Sequence, residues 1–160
     1  MTIKTGDRLP EATFRVMTPD GPAARTTAEV FAGKRVALFA VPGAFTPTCS
    51  ARHLPGFKDR AADLKAKGID AIACVSVNDA WVMGAWGEAQ DVGSDILMLA
   101  DGGGEFTRAL GLQMDASKFG LGERSQRYSM VVDDGVVEQL NVEAPGQFEV
   151  STADYMVEHL

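Results

Sequence analysis

One cysteine stands where a reactive thiol is expected. Cys49 follows an apolar run from Val36 to Val41, which lacks polar alternation and therefore predicts a buried strand. Thr46 and Pro47 are typical of the start of a helix, so Cys49 falls in its first turn. Unpaired amide groups and the positive end of the helix dipole meet at that place. We expect this environment to favour the thiolate, which is the reactive form of cysteine.

Two residues that precede Cys49 in the chain, Thr46 and Pro42, fit the same chemistry. Thr46 is three residues earlier, close enough for its hydroxyl to face the sulfur, and Pro42 supplies a rigid apolar wall. A thiolate beside amide donors can attack an electrophile while the charge on the leaving group is stabilised. A buried, inert thiol is the ordinary alternative for a free cysteine. The local sequence favours the nucleophile.

Three basic residues could assist the thiol. His53 lies four residues after Cys49 and shares its helix face. It is either a base for acyl chemistry or a local hydrogen-bonding residue that shapes the pocket, and we favour the second because no orienting partner is evident. Arg127 precedes a predicted strand, where it is either a solvated charge or a group that reaches the thiolate and holds a polar oxygen substrate. Arg124 is a weaker candidate for the same task.

The second cysteine has a different setting. Cys74 lies in the middle of a predicted strand, between Ala73 and Val75, with no cation nearby. We interpret it as a packed core residue. The alternative is a resolving thiol that forms a disulfide with Cys49, which requires their Cα atoms to lie within roughly 7 Å.

Strands and helices alternate along the chain to position these residues. We expect a short extended piece over 13–17, strands over 35–41, 69–77 and 96–100, and a hairpin of strands over 128–132 and 136–142. We expect helices over 57–67, 78–93, 105–110 and 151–160. Residues 30–34 are expected to form a turn, and residues 111–124 a glycine-rich loop. This order predicts one α/β domain over residues 1–160, with helices on both faces of a mixed central sheet.

Composition excludes several classes of function. Lys plus Arg is 15 against 22 for Asp plus Glu, and the net charge of -7 weighs against nucleic acid or anionic membrane as a partner. No apolar run approaches the roughly 18 to 20 residues of a spanning helix, and the first residues do not resemble a signal peptide. We therefore expect a cytoplasmic protein. With two cysteines and two histidines, we expect no metal site, and no motif predicts a nucleotide or other cofactor.

Several segments together resemble one known family. The spacing Pro42-x-x-x-Thr46-x-x-Cys49 matches the active-site motif of the peroxiredoxins. The longer run PGAFTPTCSARHLPGF is similar to the plant-type type II, or peroxiredoxin-V-like, subfamily. The similarity continues, in order, through residues 73–87, 99–111 and 122–143.

This resemblance implies a thioredoxin-like fold and a peroxidase that reduces hydrogen peroxide and organic hydroperoxides. Cys49 matches the peroxidatic cysteine, which becomes a sulfenic acid. Thr46 matches the threonine that hydrogen-bonds the thiolate and the peroxide, and Pro42 the proline that shields the sulfur from water. Arg127 matches the arginine that stabilises the thiolate and orients the peroxide. The backbone N–H groups of Thr48 and Cys49 would complete the peroxide cradle, and the resemblance also implies a homodimer.

The resemblance also suggests how the enzyme is regenerated. Some relatives carry a second cysteine near the carboxyl terminus, but PGQFEVSTADYMVEHL has none. Cys74 matches a cysteine that several plant-type members do not require for turnover. We therefore expect a one-cysteine cycle, with glutathione and glutaredoxin or thioredoxin as the reductant. Two other hypotheses stay open, namely a cysteine hydrolase using Cys49 and His53, and a non-enzymatic redox sensor.

Overall fold

Nine strands and six α-helices form along residues 2–160, the part of the chain that this computed structural model describes. The strands are β1 Thr13–Thr18, β2 Gly21–Thr26, β3 Arg35–Ala40, β4 Ala71–Ser76, β5 Leu97–Ala100, β6 Gln113–Asp115, β7 Glu123–Ser125, β8 Tyr128–Asp133 and β9 Val136–Val142. The α-helices are α1 Thr27–Phe31, α2 Leu54–Asp59, α3 Ala61–Ala66, α4 Ala80–Ala89, α5 Glu105–Leu110 and α6 Ala153–Glu158. A π-helical turn spans Cys49–His53, and a 3-10 turn spans Ser117–Phe119.

A seven-stranded mixed sheet organises the molecule, in the order β2-β1-β5-β4-β3-β8-β9. The three central strands β3, β4 and β5 are parallel, and β8 is antiparallel to β3. The register sets Ala40, at the end of β3, opposite Tyr128, at the start of β8. Whatever follows β3 and whatever precedes β8 therefore lie at the same edge of the sheet.

Alternate residues of β3 are buried on opposite faces of the sheet. Phe39 belongs to a core cluster that includes side chains of α2, α3, α4 and α6. Val36 and Leu38 belong to the other cluster, which includes side chains of α1 and α5. Burial on both faces explains why this strand is a continuous apolar run without polar alternation. The predicted α/β fold with a mixed sheet and helices on both faces is confirmed.

Most predicted elements form where the pattern placed them. Asp79 caps α4 by accepting a hydrogen bond from the Val82 amide at 2.8 Å, and Thr152 caps α6 by accepting from the Tyr155 amide at 3.0 Å. The turn between β8 and β9 has the two positive φ angles, at Asp134 and Gly135, that such a hairpin requires. The predicted hairpin is confirmed, and each cap lies near the start of a predicted helix.

The turn expected over 30–34 forms at residues 32–34, directly after α1, which a capping box between Thr26 and Glu29 stabilises despite its short length. Two other local predictions are wrong. The helix expected over 57–67 is interrupted at Arg60, which has a non-helical φ of -98° and ψ of 10°. The loop expected over 111–124 contains β6 and β7, which pair with each other as a two-stranded sheet.

Within residues 2–160, no helix is both long and apolar enough to cross a membrane.

Candidate active site

Cys49 is held at the start of a helix, as its neighbours predict. The helix begins at Pro47, and the Ser50 amide donates to the carbonyl oxygen of Thr46 at 2.9 Å. From Cys49 the helix widens into the π-helical turn, in which the Leu54 amide reaches back to the Cys49 carbonyl. The Cys49 side chain is 0% exposed. Amides in the first turn of a helix have no partner within it, so those of Thr48 and Cys49 are placed to donate to a bound group.

Arg127 is the charged residue that touches the sulfur. Its Nη2 donates to Cys49 Sγ at 3.0 Å. The sheet explains this contact, because Arg127 directly precedes β8 and therefore lies beside the end of β3. A cationic donor at this distance stabilises a thiolate in preference to a neutral thiol.

His53 holds the other arm of the same guanidinium. Arg127 Nη1 lies 2.8 Å from His53 Nδ1. Arginine can only donate, so Nδ1 accepts and the ring proton is on Nε2, which donates to the carbonyl oxygen of Ser151 at 2.9 Å. His53 is 1% exposed. Burial, followed by the charge of Arg127, lowers the pKa of His53 to about 3, although the Ser151 carbonyl acts in the opposite direction.

This arrangement leaves His53 without a nitrogen for acyl chemistry. A base for Cys49 needs a free ring nitrogen within hydrogen-bonding reach of the thiol. Both ring nitrogens of His53 are already bonded, one to Arg127 and one to Ser151. The geometry disfavours the cysteine hydrolase and supports the interpretation of His53 as a residue that shapes the site.

Thr46 differs from its predicted role. Its hydroxyl donates to the carbonyl oxygen of Gly43 at 2.6 Å, so its single proton is not donated to Cys49. The same carbonyl also accepts a hydrogen bond from the Thr46 amide at 3.4 Å, so the turn of the loop holds both groups of Thr46. The lone pairs of Thr46 Oγ1 remain able to accept a hydrogen bond from a bound molecule.

Arg124 does not share the task of Arg127. It donates through Nε to the Leu121 carbonyl at 2.9 Å and through Nη1 to the Pro42 carbonyl at 3.4 Å. Arg124 therefore fastens the loop that carries Pro42, and it makes no hydrogen bond to Cys49 within the described residues.

A cavity of about 510 Å³ opens beside these residues. Pro42, Thr48 and Arg127 lie on its wall. The remaining lining is mainly apolar and includes Met114, Leu121 and Phe148. A small polar molecule next to Arg127 would thus be surrounded by apolar groups that exclude water.

Cys74 is a packed residue of β4. It is fully buried in the same core cluster as Cys49, and both cysteines are free. Burial, followed by the charge of Cys49, raises the pKa of the Cys74 thiol well above its usual value. Cys74 therefore stays protonated, which suits a core residue and not a nucleophile.

The sequence pattern did not predict the two residues that hold His53 in place, Ser151 and Glu143. Glu143 follows the end of β9, and its Oε2 accepts hydrogen bonds from the amide and the hydroxyl of Ser151, each at 2.7 Å. The available signal was weak, because an acidic residue before Ala144 and Pro145 is typical of a solvated loop. Among residues 2–160, no group of three or more His, Cys, Asp or Glu side chains could hold a metal ion.

Comparison with known proteins identifies one family. A model of the Redoxin family matches residues 4–157. The chain is 56% identical to Peroxiredoxin-2E-2, chloroplastic, of Oryza sativa subsp. japonica, over 99% of this chain and 73% of that protein. It is 45% identical to Peroxiredoxin-2B of Arabidopsis thaliana, over 99% and 98%. The crystal structure of reduced Prx3 in complex with H2O2 from Vibrio vulnificus superposes with a TM-score of 0.95, at 58% identity and 99% coverage of both chains.

Proposed function

Since the chain belongs to the type II peroxiredoxins of the Redoxin family and is a thiol peroxidase, we propose that Cys49 is the cysteine that attacks the peroxide. The observation that carries this proposal is the 3.0 Å hydrogen bond from Arg127 Nη2 to Cys49 Sγ. It supplies the positive charge that a buried nucleophilic thiolate needs.

The reaction follows from the groups around the sulfur. The Cys49 thiolate attacks one peroxide oxygen, so an S–O bond forms while the O–O bond breaks. Sulfur loses two electrons and becomes a sulfenic acid. The second peroxide oxygen leaves as hydroxide or alkoxide, which takes a proton from water. Arg127 and the amides of Thr48 and Cys49 stabilise the developing negative charge. Thr46 Oγ1 accepts the hydrogen bond of the peroxide, and Pro42 keeps water from the sulfur.

We propose hydrogen peroxide and organic hydroperoxides as the substrates. The Vibrio vulnificus relative is described in complex with H2O2, which supports the smaller substrate. The apolar lining around Met114, Leu121 and Phe148 suits the carbon chain of an organic hydroperoxide.

We propose that an outside thiol regenerates Cys49. Burial and a raised pKa make Cys74 a poor resolving thiol, and residues 143–160 contain no cysteine. The outside thiolate attacks the sulfenic sulfur and releases water, and a second thiol frees Cys49 from the mixed disulfide. Glutathione with glutaredoxin, or thioredoxin, would supply these thiols.

Peroxide-dependent oxidation of NADPH tests this cycle, with glutathione, glutathione reductase and glutaredoxin in one arm and thioredoxin with its reductase in the other. Wild type should turn over in at least one arm, Cys49→Ser in neither, and Cys74→Ser almost as well as wild type. Full activity of Cys49→Ser would contradict the assignment of Cys49. Loss of turnover in Cys74→Ser, together with a Cys49–Cys74 disulfide on oxidation, would contradict the one-cysteine cycle.

We also propose a cytoplasmic homodimer. Two aromatic side chains beside the site support the dimer, because Phe45 is 55% exposed and Phe119, on the cavity wall, is 72% exposed. Two free cysteines suit a reducing compartment, although the Oryza relative is named as chloroplastic. Light scattering tests the dimer, which a monomeric mass would contradict. Cell fractionation tests the cytoplasmic location, which recovery of the protein from an organelle would contradict.

A further inference from the structure

Glu143 is a buried carboxylate with an unusual concentration of donors. It is 8% exposed, and its Oε2 accepts from the Glu149 amide at 2.8 Å and from the amide and hydroxyl of Ser151 at 2.7 Å. These three bonds close residues 143–151 into a loop, which we name the 143–151 loop. One carboxylate oxygen thus determines the shape of the segment.

The 143–151 loop reaches the catalytic arginine at both ends. At one end, the Glu143 amide donates to the carbonyl oxygen of Arg127 at 3.0 Å. At the other end, the Ser151 carbonyl accepts from His53 Nε2, and His53 Nδ1 accepts from Arg127 Nη1. The backbone and the guanidinium of Arg127 are both held by groups of this loop or by residues bonded to it.

The middle of the loop adds an aromatic contact. The Phe148 ring lies edge to face with His53, with 5.1 Å between the ring centroids. The guanidinium carbon of Arg127 lies 5.7 Å from the centre of the same ring. This contact is attractive for a cation and covers the bond between Arg127 and His53.

We propose that Glu143 is a positioning residue for Arg127, and that it sets the rate of Cys49 oxidation through the 143–151 loop without touching peroxide. This inference rests on the proposed function of Cys49. The Ser151 carbonyl keeps the ring proton of His53 on Nε2, so Nδ1 offers a lone pair to Arg127. With one arm fixed in this way, the planar guanidinium directs its other arm at Cys49 Sγ.

Replacing Glu143 by Gln weakens the centre of this network. A neutral amide accepts hydrogen bonds more weakly than a carboxylate, and its NH₂ group cannot accept at all. We expect the Ser151 carbonyl to shift, His53 to lose its fixed orientation, and Arg127 to leave Sγ. Small misplacements of a catalytic group are costly, so we expect oxidation of Cys49 to slow by about ten- to a hundredfold.

The test measures the rate at which H2O2 oxidises Cys49, by quenching and alkylating the remaining thiol and quantifying the peptide by mass spectrometry. All proteins carry Cys74→Ser so that one thiol is followed. Glu143→Gln is compared with Glu149→Gln, which removes the same charge from an exposed position of the same loop. We expect Glu149→Gln to oxidise at the wild-type rate.

A double-mutant cycle distinguishes positioning from general loss of structure. In an Arg127→Gln background, Glu143→Gln should slow the oxidation of Cys49 by less than about twofold, because the guanidinium that Glu143 positions is gone. Equal slowing in both backgrounds, or no slowing in the presence of Arg127, would overturn this inference and leave the function of Cys49 intact. A wild-type Cys49 that does not react with H2O2 would instead contradict the proposed function.

Discussion

At the residue scale, the guanidinium of Arg127 is shared between a sulfur and an imidazole. Nη1 donates to His53 and Nη2 to Cys49, at 2.8 and 3.0 Å. A guanidinium is a rigid planar fork, so fixing one arm fixes the direction of the other. A lysine has one compact charge and could not hold both partners in this geometry.

Replacing Arg127 by Gln should slow oxidation of Cys49 by about a hundredfold, the usual cost of removing a donor that stabilises developing charge. Arg124→Gln is the matched comparison, because it removes an arginine whose bonds go to the Leu121 and Pro42 carbonyls. Stopped-flow mixing with H2O2 measures both rates, and the loss in Arg124→Gln should be much smaller. Equal losses would mean that the contact with Cys49 has no special importance.

His53 makes the stability of the protein depend on pH. Its pKa is about 3 in the folded chain and 6.5 as an unperturbed histidine, so between these values the unfolded state binds a proton that the folded state does not. Stability therefore falls as pH decreases from 6.5 towards 3, and His53 has no such effect above 6.5. From pH 6.5 to 5 we expect His53 to account for a loss of about 2 kcal/mol.

Urea unfolding of wild type and His53→Gln at several pH values between 7 and 5 measures this effect. The free energy of unfolding should fall less steeply with decreasing pH in His53→Gln, because its side chain does not bind a proton. His159→Gln, which removes a surface histidine, controls for the substitution itself. Parallel curves for wild type and His53→Gln would contradict the buried, neutral histidine.

The sequence predicted the position of Cys49 better than the contacts of the residues around it. Cys49 could be placed because the strand, Pro47 and the helix start are all local signals. Local signals favoured Arg127 over Arg124 but left open whether Arg127 is a solvated charge or reaches the sulfur, because this depends on the register of β8 with β3. Glu143 could not be found at all, since its role comes from the closure of a loop that has no periodic pattern.

At the element scale, the turn from Gly43 to Thr46 is strained. Phe45 has a φ of +64°, although bulky side chains rarely adopt the left-handed region. The turn is held by the Thr46 hydroxyl on the Gly43 carbonyl and by the Ala44 amide, which donates to Asn78 Oδ1 at 3.0 Å. Backbone strain of this kind occurs at functional sites, and here it lies directly before the helix that carries Cys49.

Replacing Phe45 by Asn should stabilise the protein by about 1 kcal/mol, because Asn tolerates the left-handed conformation. Urea unfolding under monomeric conditions measures the change. Phe119→Asn is the matched control, because Phe119 is also an exposed phenylalanine and lies outside the positive-φ region. An equal gain in both variants would mean that loss of an exposed aromatic group, and not relief of strain, is the cause.

The π-helical turn at Cys49–His53 was not predicted. It inserts an extra residue into one turn of the helix, and no composition signal distinguishes such a turn from an α-helix. Trp86 Nε1 donates to Ser50 Oγ at 2.9 Å and ties this turn to α4. Long-range contacts of this kind stabilise irregular helices, which is why sequence patterns identified the helix but not its form.

The short elements were not predicted from the sequence for a related reason. α1 has five residues, and β6 and β7 have three each, too few to show a period of 3.6 or 2. The capping box at Thr26 and Glu29 was visible in the sequence, but it precedes no long amphipathic run. Tertiary contacts therefore decide whether such segments are ordered.

At the scale of the whole molecule, the sheet order creates the site. β3 delivers the helix with Cys49, the antiparallel neighbour β8 delivers Arg127, and β9 leads into the 143–151 loop. Three segments distant in sequence thus meet at one edge of the sheet. The alternation of strands and helices was sufficient to predict the fold. Predicting which residues meet at this edge would also have required the register between the strands.

The most direct test of this account is to find where oxygen is transferred when the reduced protein meets one equivalent of H2O2. Trapping with dimedone and peptide mass spectrometry locates the sulfenic acid. We expect a sulfenic acid at Cys49, consumption of the peroxide within the mixing experiment, and an unmodified Cys74. Unreacted Cys49 in the folded, reduced protein while peroxide persists, or a sulfenic acid at Cys74 alone, would contradict it.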